Sequence, residues 1–465
     1  MNRQPPFRKQ KCIISPNNLP SSGIFSSTSF PSINFVLGSS PGLLLTDTLK
    51  LNYNFQVLTT AGAFPNNAPA NAASPGTNGV CVSNRVGSQS AIDQVHITTM
   101  NSRSIENLLN YNRYLATSLP NANNQFDYLN GFQGQDPTLS TKSVGGCRQT
   151  NVPVECSVPL KTGFLTSRQP INLSRRGIHG MQISILLQQN ANVLSPFNVI
   201  TQNTNGSQKE NLKSATNAST FAYQLSDVFL SYDILVPNDE IYSAMPSSGS
   251  MEFNSINSMV STLLSSDQTL TMRLGLKNLI SATHSTIAAV HLNNITQDGM
   301  KLERLATNPT ASGPNPAGTP ANLNSVRYFK GGTLFPIQAV LDSEDQGNTN
   351  PQAQIMKPAL NSVTLFENSE HQMMNPQTNT EGLNNSAGFN SQEKGLNINQ
   401  VADPNSNFIL GIATDTGGTG IDYSRESYAV RLQSQLDGRS PYQFYSFFRC
   451  RQVLSYNPTE VVVME

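Results

Sequence analysis

Leu43-Leu44-Leu45-Thr46-Asp47-Thr48-Leu49-Lys50-Leu51-Asn52-Tyr53-Asn54-Phe55-Gln56-Val57 places apolar residues at most odd positions and polar ones at most even positions. A period of 2 held over this length sends alternate side chains to opposite faces of a strand. A helix, at 3.6 residues per turn, would scatter them around its circumference. The stretch therefore predicts a long strand with one face buried.

The same alternation extends outward on both sides. Ile33, Phe35 and Leu37 alternate upstream. Downstream, strands are predicted over 92–98, at Met181, Ile183, Ile185 and Leu187, and at Val228, Leu230, Tyr232, Ile234 and Val236. After Pro237-Asn238-Asp239 a second set begins with Leu270, Met272, Leu274 and Leu276 and continues over 286–292, 334–341, 408–413, 428–432 and 443–454. Asn, Gly, Pro and Ser fill the gaps, as strand-to-strand turns require. A helix is predicted over 102–117, where Ile105, Leu108, Leu109 and Leu115 share a face behind a Ser102 or Ser104 cap. Short helices are expected over 300–305 and 361–366. Low-complexity loops are expected over 61–79, 195–219, 307–324, 342–354 and 373–405, a pattern that fits a rigid β scaffold with long decorations.

Composition narrows the class. Hydrophobic residues make up 37% of the 465 and charged residues only 12%. The missing charge is replaced by Asn, Gln, Ser and Thr, so the chain folds and shows a neutral, hydrogen-bonding surface. Lys+Arg and Asp+Glu are equal at 29 each, a balance that favours association over free diffusion. No apolar run approaches the roughly 18 residues of a membrane span, and no apolar segment of signal-peptide type follows the first residues. The expected division is an extended arm over 1–30, a first β domain over 31–239 and a second over 240–465. No residue-level repeat links the halves.

Templates for chemistry are absent. There is no phosphate-binding glycine loop, zinc-protease motif or nucleophile elbow. His96, His179, His284, His291 and His371 show no metal-ligand spacing and read as surface or satisfied structural histidines. Asp415-Thr-Gly-Gly-Thr-Gly-Ile-Asp422 offers carboxylates and free carbonyls for an ion, but reads more plainly as a glycine-rich loop between strands. Cys147 and Cys156 could bridge or share a metal, but the five cysteines read first as reduced thiols. No catalytic, cofactor-binding or metal-binding residue is expected. The single electrostatic feature is the basic arm, Arg3, Arg8, Lys9 and Lys11, with no acid before Asp47. It would give at best a weak, sequence-independent attraction to phosphates, and reads otherwise as a solvated or neighbour-docking terminus.

Six segments stand out together: Ile14-Ser15-Pro16-Asn17-Asn18-Leu19-Pro20-Ser21-Ser22, Ile33-Asn34-Phe35-Val36-Leu37-Gly38-Ser39, Arg85-Val86-Gly87-Ser88-Gln89-Ser90-Ala91-Ile92-Asp93-Gln94-Val95, Ile105-Glu106-Asn107-Leu108-Leu109-Asn110-Tyr111, Gly177-Ile178-His179-Gly180-Met181-Gln182-Ile183 and Tyr223-Gln224-Leu225-Ser226-Asp227-Val228-Phe229-Leu230-Ser231-Tyr232. With them the chain resembles the double jelly-roll major capsid proteins of polinton-like viruses and virophages. The resemblance covers about the first 240 residues; beyond them it is one of layout. It implies an all-β chain of two tandem eight-stranded jelly rolls, each a β-sandwich of two four-stranded sheets. It further implies a homotrimer of pseudo-hexagonal outline that tiles an icosahedral shell around double-stranded DNA. Neighbouring trimers, penton and minor capsid proteins would be its partners. The arm would lie on the inner side near the genome, in a virion assembled within the host cell. The rival reading is a β-sandwich adhesin or glycan-binding surface protein, which predicts exposed aromatics; the chain has no Trp.

Overall fold

Alternation in the opening stretch becomes burial. In a computed structural model of the chain, Leu49, Leu51, Tyr53, Phe55 and Val57 are buried, while Lys50, Asn52, Asn54 and Gln56 face outward at intermediate exposure. The structure describes residues 6–38, 40, 42–59, 78–82, 87–115, 146–148, 153–167, 169–174, 178, 180–200, 209–211, 221–264, 269–288, 305–306, 321–335, 341–342, 410–414, 420–434, 442–457 and 461–464. The short helices expected over 300–305 and 361–366 lie outside them, apart from Leu305.

The first sandwich pairs two sheets. One runs β1 (Phe7–Ile14), β14 (Phe221–Pro237), β4 (Leu43–Thr59), β10 (Ile171–Asn172), with β2 (Ile24–Phe25) on β14 and β9 (Val154–Pro159) on β4. The other runs β3 (Ser32–Leu37), β11 (Met181–Leu187), β6 (Ile92–Thr98), β7 (Ser104–Leu109). A small third sheet runs β13 (Lys209–Asn211), β12 (Leu194–Ile200), β5 (Asn78–Val82), β8 (Gly146–Arg148). The second sandwich again pairs two sheets. One is β15 (Gly249–Leu263), β24 (Tyr442–Tyr456), β17 (Leu279–Ala288), β22 (Leu410–Ala413), with β25 (Val461–Met464) on β24. The other is β16 (Thr269–Arg273), β23 (Ser427–Ser434), β19 (Ala321–Lys330), β18 (Leu305–Ala306), with β20 (Thr333–Leu334) and β21 (Leu341–Asp342) on β19. Non-consecutive neighbours throughout mark Greek-key connections. Four strands in each main path make these two tandem jelly rolls, the all-β class the sequence predicts.

Two bulges refine the alternation. Across the β4–β14 pair the register passes from Ser231 opposite Lys50 to Asp233 opposite Leu45, so residues 46–49 oppose Tyr232 alone. Burial shifts phase there, from Leu44 and Thr46 to Leu49 and Leu51. Thr48 closes the bulge by donating to Leu45 O at 2.7 Å and accepting from Asp233 N at 2.9 Å. In β14, Asp227 sits at φ 51°, and the inward phase passes from Tyr223 and Leu225 to Val228 and Leu230. Asn54 Nδ2 donates to Asp227 at 2.8 Å, which holds a left-handed backbone that asparagine and aspartate tolerate best.

Three expectations change. The predicted helix over 102–117 is instead strand β7 followed by one helical turn at 111–115. Ile105, Glu106 and Leu108 are all buried, because β7 is covered on both sides, and the lost alternation imitates helical spacing. The loops predicted over 61–79 and 195–219 contribute β12 and β13 and the start of β5 to the third sheet. The N-terminal arm contributes an edge strand, β1, paired with β14 from Phe7 opposite Pro237 to Ile14 opposite Leu230.

Candidate functional site: the seam between the sandwiches and the basic edge

Strand β24 breaks the alternation rule. Phe444, Tyr445, Ser446, Phe447 and Phe448 are all buried. A strand buried on both faces reads as a continuous apolar run. Phe444, Phe448 and Cys450 enter the second core, and Tyr445 and Phe447 join the first. Met251, Phe253 and Ile256 of β15 also join the first core. The outer face of the β15–β24 sheet is therefore the floor on which the first sandwich stands.

Three ring contacts line this seam. Phe164 meets Phe253 edge-on, with centroids 5.2 Å apart. Tyr114 meets Phe447 at 5.5 Å. The Arg113 guanidinium lies 5.2 Å from the Tyr445 ring centroid and is 6% exposed. Such pairs add about 0.5–1.5 kcal/mol each beyond the area they bury.

Glu106 of β7 closes the seam. Its carboxylate is 2% exposed and accepts three backbone N–H groups: Gly163 at 3.0 Å, Phe164 at 2.7 Å and Ile256 at 2.8 Å. Two donors come from the turn after β9 and the third from β15 of the other sandwich, so one side chain pins both. Burial raises its pKa above the ordinary carboxyl value, and the hydrogen bonds from Phe164, Ile256, Thr162 and Gly163 pull it back. Gly163 has no room for a side chain: a Cβ there would lie 1.8 Å from Asn254 O and 2.9 Å from Glu106 Oε1. The close backbone approach is what lets the carboxylate reach Ile256.

The basic residues lie at the far edge of the first sandwich. Arg3 is outside the described residues. Arg8, Lys9 and Lys11 are exposed on β1. Cys12 and Ile14 pack toward the core, so Phe7, Lys9, Lys11 and Ile13 point outward and Arg8 takes the other face. The cations are therefore split between faces rather than gathered. Lys9 Nζ is 2.8 Å from Asp233 Oδ2. β1 is the last strand in its sheet order, and exposed Phe7, Ile13, Leu19 and Phe30 accompany that edge.

The other candidates resolve as follows. His96 lies on β6 with Nε2 3.0 Å from Ser104 Oγ, His284 is fully buried, and His179, His291 and His371 are outside the described residues. Of the stretch 415–422, residues 415–419 lie outside the described residues; Asp422 is exposed and accepts from Ser424 N at 2.7 Å, and Gly420 at φ 79° abuts the Asn278 backbone. Cys156 is a buried thiol on β9 that approaches Val154 O at 3.5 Å, and Cys147 lies in a different sheet opposite Cys81, so the two do not bridge. Among the described residues no three acids, cysteines or histidines gather as a metal site.

Sequence reading missed Glu106 and Gly163. The available signal was an acid inside an apolar strand pattern, at Ile105-Glu106-Asn107-Leu108. It also took 443–454 as an ordinary strand, although the aromatic run Phe444–Phe448 already marks burial on two faces.

No protein-family model matches the chain, and no curated protein matches it in sequence. Solved structures do. The Faustovirus major capsid protein is similar over 97% of this chain and 92% of its own, with TM-score 0.57 and 12% identity. VP54 of PBCV-1, fitted into a reconstruction of the virophage Sputnik, is similar over 100% of this chain and 98% of its own, with TM-score 0.54 and 11% identity. The likeness is one of fold, and it spans both sandwiches together.

Proposed function

We propose that the chain is a major capsid protein, a structural protein rather than an enzyme, that assembles as homotrimers into an icosahedral shell around double-stranded DNA. The observation that carries this reading is the end-to-end likeness to capsid proteins of the same two-sandwich plan. The seam supports it. A shell subunit must keep its two sandwiches at a fixed angle, and Glu106, Gly163 and three aromatic contacts hold this one from inside. The neutral polar surface supports it too, because uncharged hydrogen bonds between neighbours lose little strength as salt rises.

In this reading the partners are further copies of the chain, with penton and minor capsid proteins at the vertices and inner surface. The division is arm 1–30, first roll 31–239 and second roll 240–465. β1 is then the inner edge, where Arg8, Lys9 and Lys11 meet a minor protein or, without sequence preference, DNA phosphates. The shell would assemble inside the host cell. Sizing with light scattering tests the proposal: the expected species is a trimer of three 50.4 kDa chains. A monodisperse monomer at every salt concentration would overturn it.

A further inference from the structure

His284 stands at the centre of the second sandwich and is 0% exposed. On β17 it lies directly opposite Ser446 of β24, and its Nδ1 is 2.8 Å from Ser446 Oγ. Its Nε2 is 2.8 Å from the Tyr428 hydroxyl on β23, which belongs to the facing sheet. One neutral ring thus ties the two sheets through their shared core. Tyr428, Phe448 and Phe444 surround it, with centroids at 5.7, 6.0 and 6.4 Å.

Among the described residues no counter-charge accompanies it. β22 presents Leu410, β24 presents Phe444, Ser446, Phe448 and Cys450, and β23 presents Tyr428, with Tyr328 and Tyr423 behind that ring. The titratable groups facing His284 are therefore tyrosines and a thiol, all neutral in acid. Among the described residues, the buried polar side chains of this sandwich are Ser255, Ser281, Thr283, His284, Ser446 and Gln452, with no acid. Both hydroxyl partners can accept a hydrogen bond, so protonation would keep the bonds and strand the charge.

We propose that His284 makes the second sandwich the acid-labile half of the chain: mild acid loosens it while the first sandwich holds. Burial pushes the imidazole pKa down from 6.5 to about 3. The sign follows from linkage. The folded value lies below the unfolded one, so the stabilisation is complete above about pH 6.5 and drains as pH falls toward 3. In the first sandwich the buried Glu106 has the opposite sign, because its folded pKa is raised. His96, the other described histidine, is half-buried on an outer face, and its pKa is lowered by burial alone.

Hydrogen exchange on the full chain at pH 7.5, 6.0 and 5.0, corrected for intrinsic rates, tests this. Protection of 279–284, 427–432 and 444–450 should fall about thirty-fold between pH 7.5 and 5.0, the factor by which a group of ordinary histidine pKa gains protons when exposed. Protection of 49–57 and 181–187 should change far less. His284→Gln keeps one donor and one acceptor without titrating, and should abolish the difference. If that variant does not fold, the wild-type profile decides alone: the loss must begin near pH 6.5 and be confined to the second sandwich. Parallel loss in both sandwiches, or an acid response retained by His284→Gln, would overturn the proposal. The sizing experiment reads neither result, so the two ideas fail separately.

Discussion

The first sandwich buries a carboxylate at its rim, and the second buries an imidazole at its centre. Glu106 is surrounded by backbone N–H donors, which favour a negative charge. His284 is surrounded by hydroxyls and aromatic rings, which favour a neutral ring. The difference follows from place. At the rim, the turn after β9 and the edge strand β15 offer backbone N–H groups without sheet partners, and an acid can gather them. Within the second sandwich the strands on either side of His284 are paired in their ladders, and its two ring nitrogens bond side-chain hydroxyls. Glu106 therefore joins two domains, whereas His284 joins two sheets within one.

The contrast breaks most completely at Gly163. Gly163→Ala would set a Cβ 1.8 Å from Asn254 O, a clash with backbone rather than with a movable side chain. Stability to denaturant should fall by more than about 3 kcal/mol, and the unfolding transition should divide as the sandwiches uncouple. A single transition with an unchanged midpoint would show that the seam tolerates separation. Glu106→Ala comes next. It removes the acceptor from three buried N–H groups and should cost about 3 kcal/mol.

Glu106→Gln sharpens the same point. One amide oxygen still serves Gly163 and Ile256, but the amide nitrogen now faces the Phe164 N–H, for a cost of about 1–2 kcal/mol. This variant also changes the pH profile. A raised folded pKa means that Glu106 contributes stability below the ordinary carboxyl range and loses it as pH rises through the folded value. Urea midpoints measured from pH 4 to 7 should lose that component in Glu106→Gln, and an identical profile would assign it elsewhere.

Where the sequence was legible, one face of a strand met water. β4, β11 and the later part of β14 alternate, and each was found near its true extent. Where neither face met water, the pattern failed. β7 imitated a helix because Ile105, Glu106 and Leu108 are all buried, and the aromatic run of β24 passed as an ordinary strand. The bulges escaped for another reason. A one-step slip in phase at Asp47-Thr48 looks like noise until the partner strand is known, since Thr48 acts through Asp233, far along the chain. Glu106 could not be assigned a role from sequence because its partners are backbone N–H groups, which carry no residue identity. Arg8, Lys9 and Lys11 were visible as charge, but their division between two faces required β1 to be a strand.

Thr48→Val tests the bulge and should have a moderate effect. It removes the hydroxyl that bonds both Leu45 O and Asp233 N and keeps the branched shape, so about 1 kcal/mol should be lost by thermal or denaturant unfolding. Both backbone groups are near the surface, where water takes over part of the bonding. A loss as large as that of Glu106→Ala would mean that the bulge holds the fold as firmly as the seam does.

Lys9→Ala should have the smallest effect. Its ion pair with Asp233 is short at 2.8 Å, but the lysine side chain is 60% exposed. Exposed pairs are worth about 0.2–1 kcal/mol and weaken with salt. Lys11 lies directly opposite Asp233 in the β1–β14 register and can replace the lost cation, which lowers the expectation to the bottom of that range. Unfolding midpoints at low and high salt should therefore nearly coincide for wild type and variant. Asp233→Asn is the informative partner, because it leaves Lys9 and Lys11 on one face with no acid between them. Its cost should exceed that of Lys9→Ala at low salt and vanish at high salt. If both variants cost the same at every salt concentration, β1 is held by its backbone ladder and the packing of Cys12 and Ile14, and its lysines remain available to a partner.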